Sequence, residues 1–238
     1  MGAACQIDTT ANASGSSSAT RLTMEATGLF ATPLWSFNYP DRDQLLTWSE
    51  HILHLEGNDT SGLTLTNQGG WHSQTDLLAD PDLNSVFRWI AGCTQRAVES
   101  IGWDTDRASP CFNNAWAMVN REGHSVRAHL HPNSLFSGVL YLTAPEGSGA
   151  IALLDPRAGA QVLLPPLRDP AAGYACGRVL RQPRPGLLLL FPGWLWHEVE
   201  RSRSSEPRIC ISFNIGMRPL RSNADAGRTN KAGEAGTP

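Results

Sequence analysis

Three histidines and one arginine are the residues of this 238-residue sequence whose types and spacing could do chemistry together. His129 and His131 stand two apart in RAHLHPNSLFSGVLY (127–141), ahead of a predicted strand, and His197 closes LLLLFPGWLWH (187–197). On an extended segment side chains alternate, so Arg127, His129 and His131 are expected on one face and Ala128 and Leu130 on the other. Imidazole suits iron, nickel, copper and zinc, and a metal with vacant positions fits three protein ligands plus substrate. His-x-His also occurs on ordinary half-buried strands, so spacing alone leaves a structural role open.

The arginine is Arg208, in PRICISFN (207–214). By alternation Arg208, Cys210 and Ser212 face one way and Ile209, Ile211 and Phe213 the other. If the apolar set fills the space between strand and helices, the polar set looks into a cavity. There the planar fork of the arginine suits a carboxylate, and Ser212 can add a donor. The other reading is a surface arginine on an edge strand. Asp155, in LDPR (154–157), is the nearest carboxylate that could complete a two-histidine, one-carboxylate set, but an aspartate before proline more readily caps its own turn. Trp71, Trp116, Trp194 and Trp196 could wall a pocket or simply fill a core.

These side chains need elements to hold them. Residues 28–37 read as a lead-in strand interrupted at Pro33. Asp41 can cap a helix to about Leu55, with Leu45, Trp48, Ile52 and Leu55 at helical spacing and Gly57 closing it. Residues 69–74 read as a loop or short strand. A second helix starts at the Asp80 cap with Pro81 in the first position and stops at Gly102. Its apolar stripe is Leu83, Val86, Phe87, Ile90, Ala97, Val98 and Ile101, which should pack on a sheet. From Ala115 onward the pattern predicts short strands near 115–120, 126–131, 136–142, 149–154, 161–164, 176–181, 187–191 and 207–214. Two helices followed by about eight strands predict a mostly β protein, a sandwich or jelly roll with helices outside one sheet.

Composition sets the outer bounds. The length suits one domain, here expected over residues 24–217, between a polar, small-residue segment 1–23 and a glycine-rich tail 218–238 that lack the apolar side chains for a core. Nineteen basic and twenty-two acidic residues give a net charge of -3, too weak a field to draw the chain to nucleic acid or an anionic membrane. Five cysteines, odd in number and without a C-x-x-C pair, argue for free thiols in a reducing compartment, read as cytoplasmic; the N-terminal segment leaves organelle targeting open. No run approaches eighteen apolar residues.

Taken together, the motifs resemble the iron(II)- and 2-oxoglutarate-dependent dioxygenase superfamily, and within it a family of 2OG-Fe(II) oxygenases. The resemblance is carried by LFATPLW (29–35), GWHS (70–73), HLHPNS (129–134) with SGVLYL (137–142), DPR (155–157), LFPGWL (190–195) with His197, and RICISFN (208–214). It implies a double-stranded β-helix, cupin-like, holding Fe(II) at one open end, with 2-oxoglutarate chelating the metal. It also implies a hydroxylase that couples release of succinate and carbon dioxide to oxidation of a small-molecule, amino-acid or peptide substrate by dioxygen. His197 matches the distal histidine and Arg208 the co-substrate arginine; Ser212, Asn120 and Tyr141 join Arg208 as expected co-substrate contacts, and Asn114, Gln68 and His72 are further pocket candidates. The superfamily usually has an acid where His131 stands. Either His129, His131 and His197 bind iron as three neutral ligands, the preferred reading, or one histidine of the pair binds with His197 and Asp155 or water completes the set.

Two other classes stay open. A cupin-type enzyme without 2-oxoglutarate would fit His129-x-His131 and the spacing of Gly186, Pro192 and His197, but it gives Arg208 no role. A jelly roll could also be a non-enzymatic binding protein with an aromatic groove. An exposed sheet edge could pair in a homodimer.

Overall fold

The computed structural model describes residues 29–157, 168 and 177–219. By its contacts the chain divides after Thr32, and every element named here belongs to the part from Pro33 onward. Residues 29–32 form no helix or strand. In chain order the elements are β1 (Trp35–Asn38), α1 (Arg42–Asn58), β2 (Asn67–Gln68), β3 (Trp71–His72), α2 (Asn84–Ser100), β4 (Ala108–Asn120), β5 (Ser125–His129), β6 (Phe136–Thr143), β7 (Ile151–Leu154), β8 (Arg178–Arg181), β9 (Leu187–Pro192), β10 (His197–Val199) and β11 (Arg208–Pro219).

The first helix begins where its cap predicts, and the second begins one turn later than its cap. Asp41 accepts a hydrogen bond from Gln44 N at 3.0 Å, satisfying one of the free amides of the first turn. The helix then runs past Gly57 to Asn58, three residues beyond the expected end at Leu55. Asp80 accepts from Asp82 N, but Pro81 opens a single 3-10 turn and α2 proper starts only at Asn84. Gly102, at φ +71°, sits where the α2 chain reverses, and Trp103 N closes back on Val98 O at 3.1 Å. Ile101, expected in the buried stripe, is 51% exposed because it falls in that reversal.

Two antiparallel sheets face each other, one of six strands in the order β1-β9-β6-β11-β4-β3 and one of five in the order β2-β5-β10-β7-β8. This is the double-stranded β-helix, and the helices cover only the six-stranded sheet. Alternation along its central strands builds two separate interiors. Ala115, Ala117, Val119, Phe136, Leu140, Leu142, Ile209, Ile211, Phe213 and Ile215 point at the helices and meet Leu45, Trp48, Ile52, Leu83, Val86 and Ile90. Trp116, Met118, Val139, Tyr141 and Cys210 point the other way, towards Val126, Ile151 and Leu153 of the second sheet. Gly138 is required in the first set, since a Cβ there would overlap the Phe213 ring.

The strands differ from expectation in three places. β4 starts at Ala108 rather than 115, and β11 runs on to Pro219, because these two strands pair along their whole length. β10, only three residues long, was hidden behind the Pro-Gly-Trp turn that precedes it. The lead-in strand reduces to β1, and the strand expected at 161–164 lies outside the described residues. Among the described residues no helix is long and apolar enough to cross a membrane.

Candidate metal centre

The site forms where β5 and β10 lie side by side in the smaller sheet. His197 pairs with His129, while two residues further on Val199 pairs with Val126, three residues back along β5. The extra residue in β5 is a bulge, which re-aims the side chains on either side of it. Val126 and His129 therefore both line the cavity, and Arg127, expected to share the histidine face, turns outward and donates to Leu65 O at 3.0 Å. Beyond β5 the chain leaves the sheet, and His131 is held by its own backbone, N–H donating to Gly193 O at 2.9 Å.

This brings the three imidazoles together. Ligand atoms of His129, His131 and His197 all lie within 4.8 Å of one another. Their ring centroids are 4.2 Å apart for His129 and His197, 4.9 Å for His129 and His131, and 5.1 Å for His131 and His197. Two rings are oriented by acceptors that cannot donate. His129 Nδ1–H donates to Arg127 O at 2.8 Å and His197 Nδ1–H to Leu195 O at 2.9 Å, which leaves each Nε2 as a bare lone pair. Phe191 meets the edge of His197 at 4.8 Å and fixes its ring plane.

The same three rings are held neutral. Burial depresses all of them: His131 to about 4, with the neighbouring His129 adding to the effect, and His197 to about 3, again helped by His129. Neutral imidazoles packed this closely form the donor set that a borderline transition metal takes. Asp155 is not part of it. Its Oδ1 accepts from Arg157 N at 2.9 Å and its Oδ2 pairs with Arg157 Nη2 at 2.7 Å, so the carboxylate closes its own turn and is held below its usual range by that guanidinium.

The cavity extends from the histidines between the sheets to Arg208, with Tyr141, Cys210 and Ser212 along the way. Arg208 is only 2% exposed, and among the described residues it has no ion-pair partner. Nη1 donates to Ser148 O at 2.8 Å and Gly149 O at 3.0 Å, but among the described residues the buried Nε has nothing to donate to. Asn120, across the strand pair from Arg208, is fully buried with both side-chain polar atoms unpartnered, and so is Ser148 Oγ. A buried cation surrounded by idle donors is costly unless an anion joins it. Tyr141 adds a hydroxyl that burial keeps protonated far above its ordinary range. The closed end therefore fits a carboxylate, as the histidine end fits a metal.

The remaining sequence candidates divide. Trp116 lines the cavity, 5.6 Å from His131 on one side and stacked on the buried His72 at 5.6 Å on the other. Trp71 belongs to the helix-side core, and Trp194 and Trp196 are 50% and 45% exposed; none of the three is a cavity wall. Gln68 accepts from Ser125 Oγ at 3.0 Å on β2. Ser137, Ser148 and Asn214 are site residues that spacing did not single out. A second convergence, His51 with Asp80 and Asp82, ties α1 to the turn before α2.

Residues 114–214 match the family model described as "Putative 2OG-Fe(II) oxygenase". No protein of curated function matches the sequence. Among solved structures, a prolyl-4-hydroxylase from Pseudomonas putida is 14% identical with a TM-score of 0.56, covering 82% of this chain and 96% of its own. The non-heme alpha-ketoglutarate-dependent carbocyclase SnoK from nogalamycin biosynthesis is 13% identical, TM-score 0.58, covering 83% and 86%. HygX from Streptomyces hygroscopicus, solved with nickel, 2-oxoglutarate and hygromycin B bound, is 12% identical, TM-score 0.53, covering 78% and 83%. At such identities these likenesses establish the fold.

Proposed function

We propose that this chain, whose residues 114–214 match the 2OG-Fe(II) oxygenase family model, is an Fe(II)- and 2-oxoglutarate-dependent dioxygenase that hydroxylates its substrate with release of succinate and carbon dioxide. The observation that carries this reading is one cavity with three converging imidazoles at one end and, at the other, a buried arginine with no ion-pair partner among the described residues. His129, His131 and His197 would hold the iron, and Arg208, with Asn120, Ser212 and Tyr141 around it, the distal carboxylate of 2-oxoglutarate.

When bound, iron and 2-oxoglutarate would supply the redox chemistry; the chain supplies binding, orientation and electrostatics. Because the three imidazoles are already neutral near pH 7, they take a cation without first losing protons. Three neutral ligands leave the full charge of the metal uncompensated, which favours an anionic chelator in the remaining positions. Arg208 would grip the far end of that chelator and so set its direction, and its fork suits a carboxylate better than an ammonium group would. Met118, Val126, Val139, Ile151 and Phe191 wall the space between and keep water from the centre.

The test is anaerobic addition of iron(II) and 2-oxoglutarate. A weak visible charge-transfer band should appear, and Arg208→Ala should remove it at the same co-substrate concentration while iron stays bound. Iron binding with no such band in the unaltered protein would favour a cupin-type enzyme whose own substrate is the chelator.

A further inference from the structure

The three histidines are not held alike. His129 and His197 each face a backbone carbonyl, which can only accept, so their tautomers are fixed with Nε2 bare. His131 faces a side-chain amide. Asn214 Nδ2 lies 3.5 Å from His131 Nδ1, at the far edge of hydrogen-bonding range, and also donates to Asn114 Oδ1 at 2.9 Å. On its other side Asn214 Oδ1 accepts from Ser137 Oγ at 2.7 Å. Asn114, Asn214 and Ser137 form a polar row across three neighbouring strands, since Asn214 pairs with Asn114 on β4 and with Ser137 on β6. Asn214 and Ser137 are 6% and 2% exposed and Asn114 is half-buried, and among the described residues the Asn214 side chain meets Asn114, Ser137 and His131.

An amide nitrogen can only donate. Arranged this way, Asn214 calls for a bare His131 Nδ1 and places the imidazole proton on Nε2, where it blocks that nitrogen from a metal. Every member of the row can be reversed, however. A hydroxyl accepts as well as it donates, and both amides can turn over. Reversed, Asn214 presents Oδ1 to His131, Nδ1 carries the proton, and the Nε2 lone pair is released. No proton is gained or lost overall, only moved from one ring nitrogen to the other.

We infer that Asn214 is a positioning residue that makes His131 the conditional ligand of the centre: the Asn114–Asn214–Ser137 row must reverse before the third imidazole can bind metal. The inference rests on the three-histidine reading. It places the weak point of the centre at His131, while His129 and His197 stay ready to bind.

Nickel(II) titration and histidine NMR test it together. In the metal-free protein, long-range proton–nitrogen correlation should find His129 and His197 protonated on Nδ1 and His131 on Nε2. Asn214→Asp, whose carboxylate can only accept, should move His131 to the Nδ1 form and bind nickel at least as tightly as the parent protein. Asn214→Leu, with no acceptor, should weaken nickel binding by about 10- to 100-fold. Should that variant fail to fold, the aspartate variant still decides the matter. An unchanged His131 tautomer in Asn214→Asp, or parental nickel affinity in a folded Asn214→Leu, would overturn the role of Asn214 while leaving the metal centre standing. A parent protein that bound neither nickel nor iron would remove the centre itself, a result the titration separates from the first two.

Discussion

The two faces of β4, β6 and β11 come from the same residues read alternately, yet they obey different rules. The face towards the helices is apolar throughout, from Ala115 to Ile215. The face towards the second sheet carries Asn114, Asn120, Ser137, Tyr141, Arg208 and Asn214, and Asn120 and Arg208 keep buried polar atoms without a partner among the described residues. The second face is also a buried apolar cluster, with Trp116, Met118, Val139 and Cys210, but it admits polar groups that the first does not. Chemistry and folding are thus separable in this molecule, one residue apart along each strand.

The largest effect should come from the cavity side. His197→Ala or His129→Ala should abolish iron binding and turnover while circular dichroism and the thermal midpoint stay near those of the parent, because neither ring belongs to the helix-side core. Unfolding of both variants would show that the two faces are coupled. On the opposite face the pattern should invert. Leu140→Ala, at a fully buried position under the helices, should cost about 2–5 kcal/mol in denaturant unfolding, with metal affinity little changed in the folded fraction.

The next effect depends on acidity. In the metal-free protein the folded-state histidines titrate below their unfolded value of about 6.5, so the unfolded chain binds more protons across that interval. Their contribution to stability is therefore complete above pH 6.5 and is lost as pH falls towards about 4 for His131 and about 3 for His197. Parallel unfolding curves of the parent and His197→Ala from pH 7 to pH 4 should converge or cross, since the variant lacks one of these groups; a constant offset would contradict the burial of that ring. The smallest effect is expected at Asp155. Asp155→Asn should leave iron affinity unchanged in the same titration, because its carboxylate is engaged with Arg157 in a turn.

Much of this division could be read in the chain beforehand. PRICISFN alternates without a break, so the segment alone puts Arg208, Cys210 and Ser212 on one face, the face that lines the cavity. The caps at Asp41 and Asp80 are local chemistry, visible within four residues. The bulge at Arg127 was invisible because it is a mismatch of register between β5 and β10, and register belongs to a pair of strands rather than to one. Ser137 and Asn214 were overlooked for a related reason. Each is an unremarkable polar residue in its own segment, and only pairing across β4, β11 and β6 makes a row that reaches His131. Trp194 and Trp196 misled in the other direction, since an aromatic beside a ligand in sequence alternates away from it in space.

The three-histidine centre is tested most directly by an anaerobic iron(II) titration of the parent protein beside its three single histidine variants. It predicts one equivalent of iron bound by the parent and a severe loss of affinity in His129→Ala, His131→Ala and His197→Ala alike. Parental iron affinity in His131→Ala would contradict it, for the metal would then be held without the third imidazole.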